Sequence, residues 1–405
     1  MSQPDKIWDK LIDNNFKVST DTRKDVANSI FFAIKGDNFD GNTFVETALE
    51  KGAAGVVTEN PKFKQKPHIY VVDDVLDTLQ KLAKRYRETF DIPIIAIGGS
   101  NGKTTTRGLV NQVLQTRYKV YSTEGNLNNH IGVPLSILSM DKSSEIGVFE
   151  IGANHLGEHT KLLEILNPTH VLVTNNGMDH LEGFGSPEGV REANEEIITW
   201  ADKHKAIVIK NKNHELEINS PLPLAISWEG KRYQTNLAGN YNLENINWAL
   251  SVGAQFQIID KEETLEAIER YKSLSQRSQL VIKDNNKFIV DCYNANPTSM
   301  MLALKSFVDS VSHPRGIILG DMLELGEYAG KEHKRVVKFI AEQKFDVIVL
   351  IGKLFKKAVE KTGLKHVWFE DSATAKIWFR TQAFDNYTFL LKGSRGIKVE
   401  QVIET

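Results

Sequence analysis

The chain has 405 residues, too many for one hydrophobic core, so two or three domains are expected. Its 41% hydrophobic and 25% charged residues suit a globular protein, and a net charge of −2 argues against nucleic-acid binding through bulk positive charge. The single cysteine, Cys292, excludes an intrachain disulfide and argues against a cysteine-rich zinc site, while the absence of a signal-peptide core or of any apolar run near ~18 residues predicts a cytoplasmic protein without membrane insertion.

Residues 1–92 read as a small α/β unit. Strands are expected over 29–34, 55–58 and 69–72, and helices over 43–51 and 75–90. The second helix carries Leu76, Leu79, Leu82, Ala83 and Tyr86 along one face. Asp91-Ile92-Pro93 marks its end, because Pro93 disfavours helix before it. Two polar stretches, Ser19-Thr20-Asp21-Thr22-Arg23 and Lys35-Gly36-Asp37-Asn38-Phe39-Asp40-Gly41-Asn42, offer hydroxyls, amides and a cation to a nucleotide diphosphate.

Residues 93–273 form the second unit. The apolar run Ile94-Ile95-Ala96-Ile97 predicts a buried strand, Gly98-Gly99-Ser100-Asn101-Gly102 a loop, and Lys103 onward a helix with Leu109, Val110, Val113 and Leu114 at helical spacing. Strand, glycine loop and helix N-terminus make a phosphate cradle: backbone N–H groups and the helix dipole meet the anion, Lys103 adds a charge, and Thr104 offers a hydroxyl to Mg²⁺. The spacing differs from the common P-loop, with Ile97 where that pattern has glycine. Further strands are expected over 118–121, 146–151, 170–174 and 206–209, with helices over 242–256 and 262–271. Helices between the strands predict a mostly parallel sheet, and ligands gather at the carboxyl ends of such strands. Glu150, at one of those ends, suits the Mg²⁺ shell begun by Thr104. The tract 175–185 follows another strand, and its His180 suits a metal or a phosphate. Asn242 reads as a helix cap. Asn245, one turn on, reads better as a contact to an adenine edge.

Residues 274–405 alternate strand and helix, with strands over 288–292, 316–319, 347–351, 366–369 and 388–391, which predicts a doubly wound, Rossmann-like sheet. Lys283-Asp284-Asn285-Asn286-Lys287 reads as a hairpin turn opening it. Asp291 to Pro297, Gly320 to Gly326 and Lys392 to Gly396 all follow strands, so they should line one rim. Turn chemistry explains the asparagines and glycines there, but not Asp321, Lys392 and Arg395.

Taken together, Gly99-Ser-Asn-Gly-Lys-Thr-Thr105, Glu124-Gly-Asn-Leu-Asn-Asn129, Glu150-Ile-Gly-Ala-Asn-His155, His180-Leu-Glu-Gly-Phe-Gly185, Tyr293-Asn-Ala-Asn-Pro-Thr-Ser-Met300, Gly320-Asp-Met-Leu-Glu-Leu-Gly326 and Lys392-Gly-Ser-Arg395 resemble the Mur ligase family, most closely its D-alanyl-D-alanine-adding branch. The resemblance covers nearly the whole chain. It implies a three-domain α/β architecture: a UDP-substrate domain, a central P-loop ATPase domain and a C-terminal Rossmann-like acceptor domain. It implies ATP and Mg²⁺ as cofactors, UDP-N-acetylmuramoyl-tripeptide and D-alanyl-D-alanine as substrates, an acyl-phosphate intermediate, and a monomer that binds no nucleic acid. Lys103, Glu150 and His180 would be catalytic, and Thr104, Glu150 and His180 would meet metal, His180 serving a second Mg²⁺. Gly99, Ser100, Asn101, Gly102, Lys103, Thr104, Thr105, Asn245, Arg277 and Asp291 would bind ATP. Thr22, Arg23, Asn128, Asn129, Asn294, Asn296, Asp321, Lys392 and Arg395 would bind substrate. Two rivals remain: another amide ligase of the Mur or folylpolyglutamate type, and a non-catalytic nucleotide-binding relative.

The chain departs from the family pattern at three places. Family members usually carry a carbamylated lysine where this chain has Asn194. Asn194 through water, or Glu195 or Glu196, is the expected substitute, and activity should then not depend on bicarbonate. Tyr241 stands where many members have histidine, and Thr22 where serine is frequent.

Overall fold

The computed structural model describes residues 2–36, 39–258, 260–273 and 276–404. Asp37 and Asn38 of the expected N-terminal loop, and Leu274 and Ser275 at the expected second boundary, lie outside the described residues.

Strands Val18–Ser19, Ile30–Phe32, Gly55–Thr58 and Ile69–Val71 pair in that order into a four-stranded parallel sheet. Helix Val75–Arg87 starts on Asp74, whose carboxylate accepts from the Asp77 N–H at 2.8 Å. Leu79, Leu82, Ala83 and Tyr86 on its predicted face are buried. They do not close a separate core. Ile30 and Phe32 of the first sheet and Ile94, Phe149 and Trp200 of the next unit belong to the same hydrophobic cluster. The Tyr86 hydroxyl donates to the Met140 carbonyl at 2.8 Å. Buried Arg87 donates to the carbonyls of Leu166 and Asn167, at 2.9 and 3.2 Å, where helix Glu158–Leu166 ends. The 91–93 punctuation therefore marks a change of sheet, and the core runs on beneath it.

The central sheet has five parallel strands in the order Ile207–Val208, His170–Val173, Ile94–Gly98, Ile146–Glu150, Val120–Ser122. Every residue of Ile94–Gly98 is buried, as its unbroken apolar run predicts. Strand order reverses around it, so the loops after it, after Glu150 and after Val173 converge on one edge. A small antiparallel sheet, Glu217–Pro221, Leu224–Trp228 and Lys231–Gln234, was not expected from the sequence. Pro221 and Pro223 interrupt its alternation. Its one legible signal is the two-residue turn at Glu229-Gly230, where φ is +48° and +79°.

The last sheet runs Gln279–Lys283, Asn286–Asp291, Thr388–Lys392, Arg315–Gly320, Val347–Ile351, Val367–Phe369. Only the first pair is antiparallel, joined through the predicted turn at Asp284-Asn285, where both φ angles are positive. Helices cover both faces over two buried clusters. Among the described residues no helix is long and apolar enough to cross a membrane.

Candidate active site

Gly99 and Gly102 shape the phosphate loop. Their φ angles are +112° and +79°, conformations that L side chains resist. A Cβ on Gly99 would lie 2.3 Å from Thr174 Oγ1, and one on Gly102 2.4 Å from Asn245 Oδ1. Gly102 is also the N-cap of helix Lys103–Leu114. Gly102→Ala should therefore cost about 1–2 kcal/mol in backbone strain alone and push Asn245 away. We expect at least a roughly tenfold loss of affinity for a non-hydrolysable ATP analogue by calorimetry, since that strain falls on the cradle itself.

The Lys103 ammonium donates to the Gly99 carbonyl and, at 3.1 Å, to the Ser100 carbonyl, so it lies folded along the loop. Thr104 and Glu150 meet beside it. The Thr104 hydroxyl donates to Glu150 Oε2 at 2.8 Å, and Asn128 Nδ2 donates to Oε1 at 2.8 Å. Neighbouring oxygens around Mg²⁺ at its usual ligand distance stand about 2.9 Å apart, so the pair fits one edge of that shell. The sequence reading missed Arg107, one turn after Lys103. Its Nη1 lies 3.3 Å from Glu150 Oε2 with both side chains buried, and it also donates to the Gly125 carbonyl at 3.0 Å. Burial pushes the Arg107 guanidinium pKa down, and Glu150 opposes the shift. The spacing Lys103 to Arg107, on one helix face, was its only sequence signal.

The C-terminal unit closes over this edge. Asn296 caps helix Pro297–Ser310 through a capping box with Ser299, and its Nδ2 donates to Asn101 Oδ1 at 2.8 Å. The Met178 N–H donates to Thr298 Oγ1 at 3.0 Å. His180, held at φ +46°, places Nδ1 2.8 Å from Glu324 Oε2. The hydrogen bond from His180 holds the Glu324 carboxyl below its ordinary value of 4.5. A lowered carboxyl pKa contributes stability that is whole above 4.5 and is lost as pH falls through the lowered value. Wild-type stability should therefore fall more steeply on acidification than that of Glu324→Gln, read as denaturant midpoints from neutral pH into the acid range.

Between the units lies a cavity of about 710 Å³. Ser100 to Thr105, Asn128, Asn129, Glu150, His180, Asn245 and Arg277 line one side of it. Asp291, Asn294, Asn296, Lys392 and Arg395 line the other. Asp291 and Lys392 are register partners at the ends of neighbouring strands, and their side chains form a buried ion pair at 2.5 Å. Asp291 Oδ1 also accepts from the Ser278 N–H at 3.0 Å. The Arg277 guanidinium stacks 3.7 Å above the Tyr293 ring. Arg395 bonds Gln276 and pairs with Glu400 at 3.1 Å.

Several expected residues do other work. The Asn245 amide is engaged within the protein, its Nδ2 donating to Asn242 at 2.9 Å and its Oδ1 accepting from Thr106 at 3.2 Å. Asn129 Oδ1 accepts from the N–H groups of Ile131 and Gly132, at 3.2 and 2.9 Å, just before helix Gly132–Leu138. Asp321 does not line the cavity. It is buried, and its carboxylate accepts from the N–H groups of Leu354 and Phe355 at 2.9 and 2.8 Å, holding the start of helix Lys353–Val359. Thr22 and Arg23 also lie off the cavity. Arg23 is exposed and bonded to Asp21, holding that carboxyl down at about 2. Glu196 accepts from the N–H groups of Gly157 and Thr160 at 2.6 and 3.0 Å, at the start of helix Glu158–Leu166. Glu195 is exposed, and Asn194 is buried with its amide donating to Asn176 at 2.8 Å.

Comparison with known proteins agrees with this arrangement. Residues 97–220 match the family model of the Mur ligase middle domain, and residues 276–395 that of the Mur ligase, glutamate ligase domain. The chain is 32% identical to the UDP-N-acetylmuramoyl-tripeptide–D-alanyl-D-alanine ligase of Bacillus subtilis, across 96% of this chain and 92% of that one. It is 30% identical to the ligase of the same name from Treponema pallidum, across 95% and 92%. Among solved structures, MurF from Acinetobacter baumannii superposes with a TM-score of 0.83 at 27% identity, across 96% and 92%.

Proposed function

The chain belongs to the Mur ligase family, and from that premise we propose that it is the ATP-dependent ligase joining D-alanyl-D-alanine to UDP-N-acetylmuramoyl-tripeptide in peptidoglycan precursor synthesis. The observation that carries this reading is the single cavity whose walls are the Lys103 loop and the 291–296 and 392–395 segments. A donor of phosphate and an acceptor of it must meet across such a gap.

The reaction unites anions, so cationic groups have to offset their repulsion. The loop N–H groups and the helix N-terminus would cradle the ATP phosphates. Lys103, released from the Gly99 and Ser100 carbonyls, would neutralise charge on the transferring phosphoryl group. The Thr104 hydroxyl and Glu150 carboxylate would hold Mg²⁺, and His180 would reach a second. Mg²⁺ bound there would supply charge neutralisation to the phosphates. The tripeptide carboxylate attacks the γ-phosphorus as the bond to the β–γ bridging oxygen breaks. The D-alanyl-D-alanine amine then attacks the acyl carbon, and phosphate leaves with the electron pair of the acyl C–O bond. Asn294, Asn296, Lys392 and Arg395 would orient the acceptor from the C-terminal side, with Arg277 and Asp291 toward the nucleotide. Closure of that side excludes water, which acyl phosphates require. Thr22 and Arg23 would hold the UDP end away from the chemistry. Three units, 1–92, 93–273 and 274–405, divide these tasks. The reading is of a monomer acting in the cytoplasm, where nucleotide-linked precursors are built.

Mass spectrometry tests this reading. Protein, Mg²⁺–ATP, UDP-N-acetylmuramoyl-tripeptide and D-alanyl-D-alanine should yield the pentapeptide nucleotide and phosphate in equal amounts. Absence of that product, or equal activity with glutamate or a single amino acid as acceptor, overturns it.

A further inference from the structure

One buried acid at the cavity is left unused by the chemistry above. Asp179 follows strand His170–Val173, borders the cavity and is only 7% exposed. Its Oδ1 is buried, and among the described residues it meets no hydrogen-bond donor. A carboxylate in such a place is costly unless a cation answers it. Two candidates that line the same cavity are otherwise occupied. Lys103 is turned onto the loop carbonyls, and His180 is paired with Glu324.

A second buried group has the same character. His159 Nδ1 donates to the Ala193 carbonyl at 2.9 Å, which leaves Nε2 as a lone pair, and Nε2 also lacks a partner. Burial foremost pushes the His159 pKa down, helped by Lys103 and opposed first by the hydrogen bond to the Ala193 carbonyl and then by Glu196 and Asp179. The ring therefore stays neutral beside an unanswered carboxylate. On the helix that packs here, Asn194 carries an amide bonded to Asn176, and Glu196 is engaged by the N–H groups of Gly157 and Thr160.

Resting on the ligase reading above, we propose that Asp179 is this chain's fixed carboxylate ligand for the second divalent cation, in place of a carbamylated lysine. Among the described residues no three histidine, cysteine or acidic side chains converge as a complete metal cage. That suits Mg²⁺, which takes one or two protein carboxylates and fills its shell with phosphate oxygens and water. A permanent carboxylate also frees the site from dissolved CO₂.

The test is a Mn²⁺ titration followed by electron paramagnetic resonance, on protein saturated with a non-hydrolysable ATP analogue and UDP-N-acetylmuramoyl-tripeptide. Wild type should show two classes of bound Mn²⁺, unchanged when bicarbonate is removed or added. In Asp179→Asn and Asp179→Ala the second class should weaken roughly 10- to 100-fold while the first stays. Without ligands both variants should melt no lower than wild type, since Oδ1 of Asp179 meets no hydrogen-bond donor among the described residues. A single class in wild type, both classes intact in the variants, or a second class that requires bicarbonate overturns the assignment alone. A wild type that binds no Mn²⁺–nucleotide overturns the ligase reading with it.

Discussion

Lys103→Met is expected to lower turnover by about 10²–10³-fold, with a smaller change in nucleotide affinity and little change in stability. The side chain is placed for a charge that develops during the reaction. In the resting protein its ammonium only bridges the Gly99 and Ser100 carbonyls. Each such bond contributes about 0.5–1.5 kcal/mol, and water can replace the donor at a partly exposed loop. During phosphoryl transfer the same ammonium would face the γ-phosphate oxygens in a closed cavity, where a removed charge would cost about 2.7–4 kcal/mol of barrier. Methionine keeps the stem and deletes the charge, so packing on the loop survives. Product formation at saturating substrates, measured beside thermal melting, separates the two effects. Turnover within threefold of wild type would mean that Lys103 is a loop brace and nothing more.

Lys392→Met is expected to destabilise the protein by about 3–5 kcal/mol. Lys392 and Asp291 end neighbouring parallel strands in register, so the sheet itself presses their side chains together. Lys392 is 3% exposed and Asp291 16%, which leaves the carboxylate little water to fall back on once its partner is gone. The Ser278 N–H would still serve Oδ1, but Oδ2 would be bare. Asp291→Asn added to Lys392→Met should recover much of the loss, because no unpaired charge remains. Denaturant midpoints for the two single variants and the double variant measure this coupling, and additive losses would refute it.

The parts of the site legible in the sequence are those that lie on consecutive residues. Strand, glycine loop, lysine and helix between Ile94 and Leu114 state their structure locally, and the two glycines stand where side chains would strike Thr174 and Asn245. Strand-end placement likewise located Glu150, His180, Asp291 and Lys392. What was not legible depends on partners distant in the chain. Arg107 looks like an ordinary helical arginine until Glu150 folds against it. Asp321 follows a strand as the rim residues do, yet the start of another helix claims its oxygens. Glu196 was an obvious acid near Asn194, and the N–H groups of Gly157 and Thr160 take it. The small antiparallel sheet at 217–234 was lost because prolines break the alternation that would announce it. Unsatisfied atoms such as Asp179 Oδ1 have no sequence signal, since only the folded surroundings reveal a missing donor.

On the proposed reading, the cavity carries a carboxylate across to phosphate before an amine arrives. UDP-N-acetylmuramoyl-tripeptide labelled with oxygen-18 in its terminal carboxylate tests this most directly, with the released phosphate analysed by mass spectrometry. One labelled oxygen should appear in the phosphate for each pentapeptide nucleotide formed. Phosphate that carries no label while product accumulates would contradict the account.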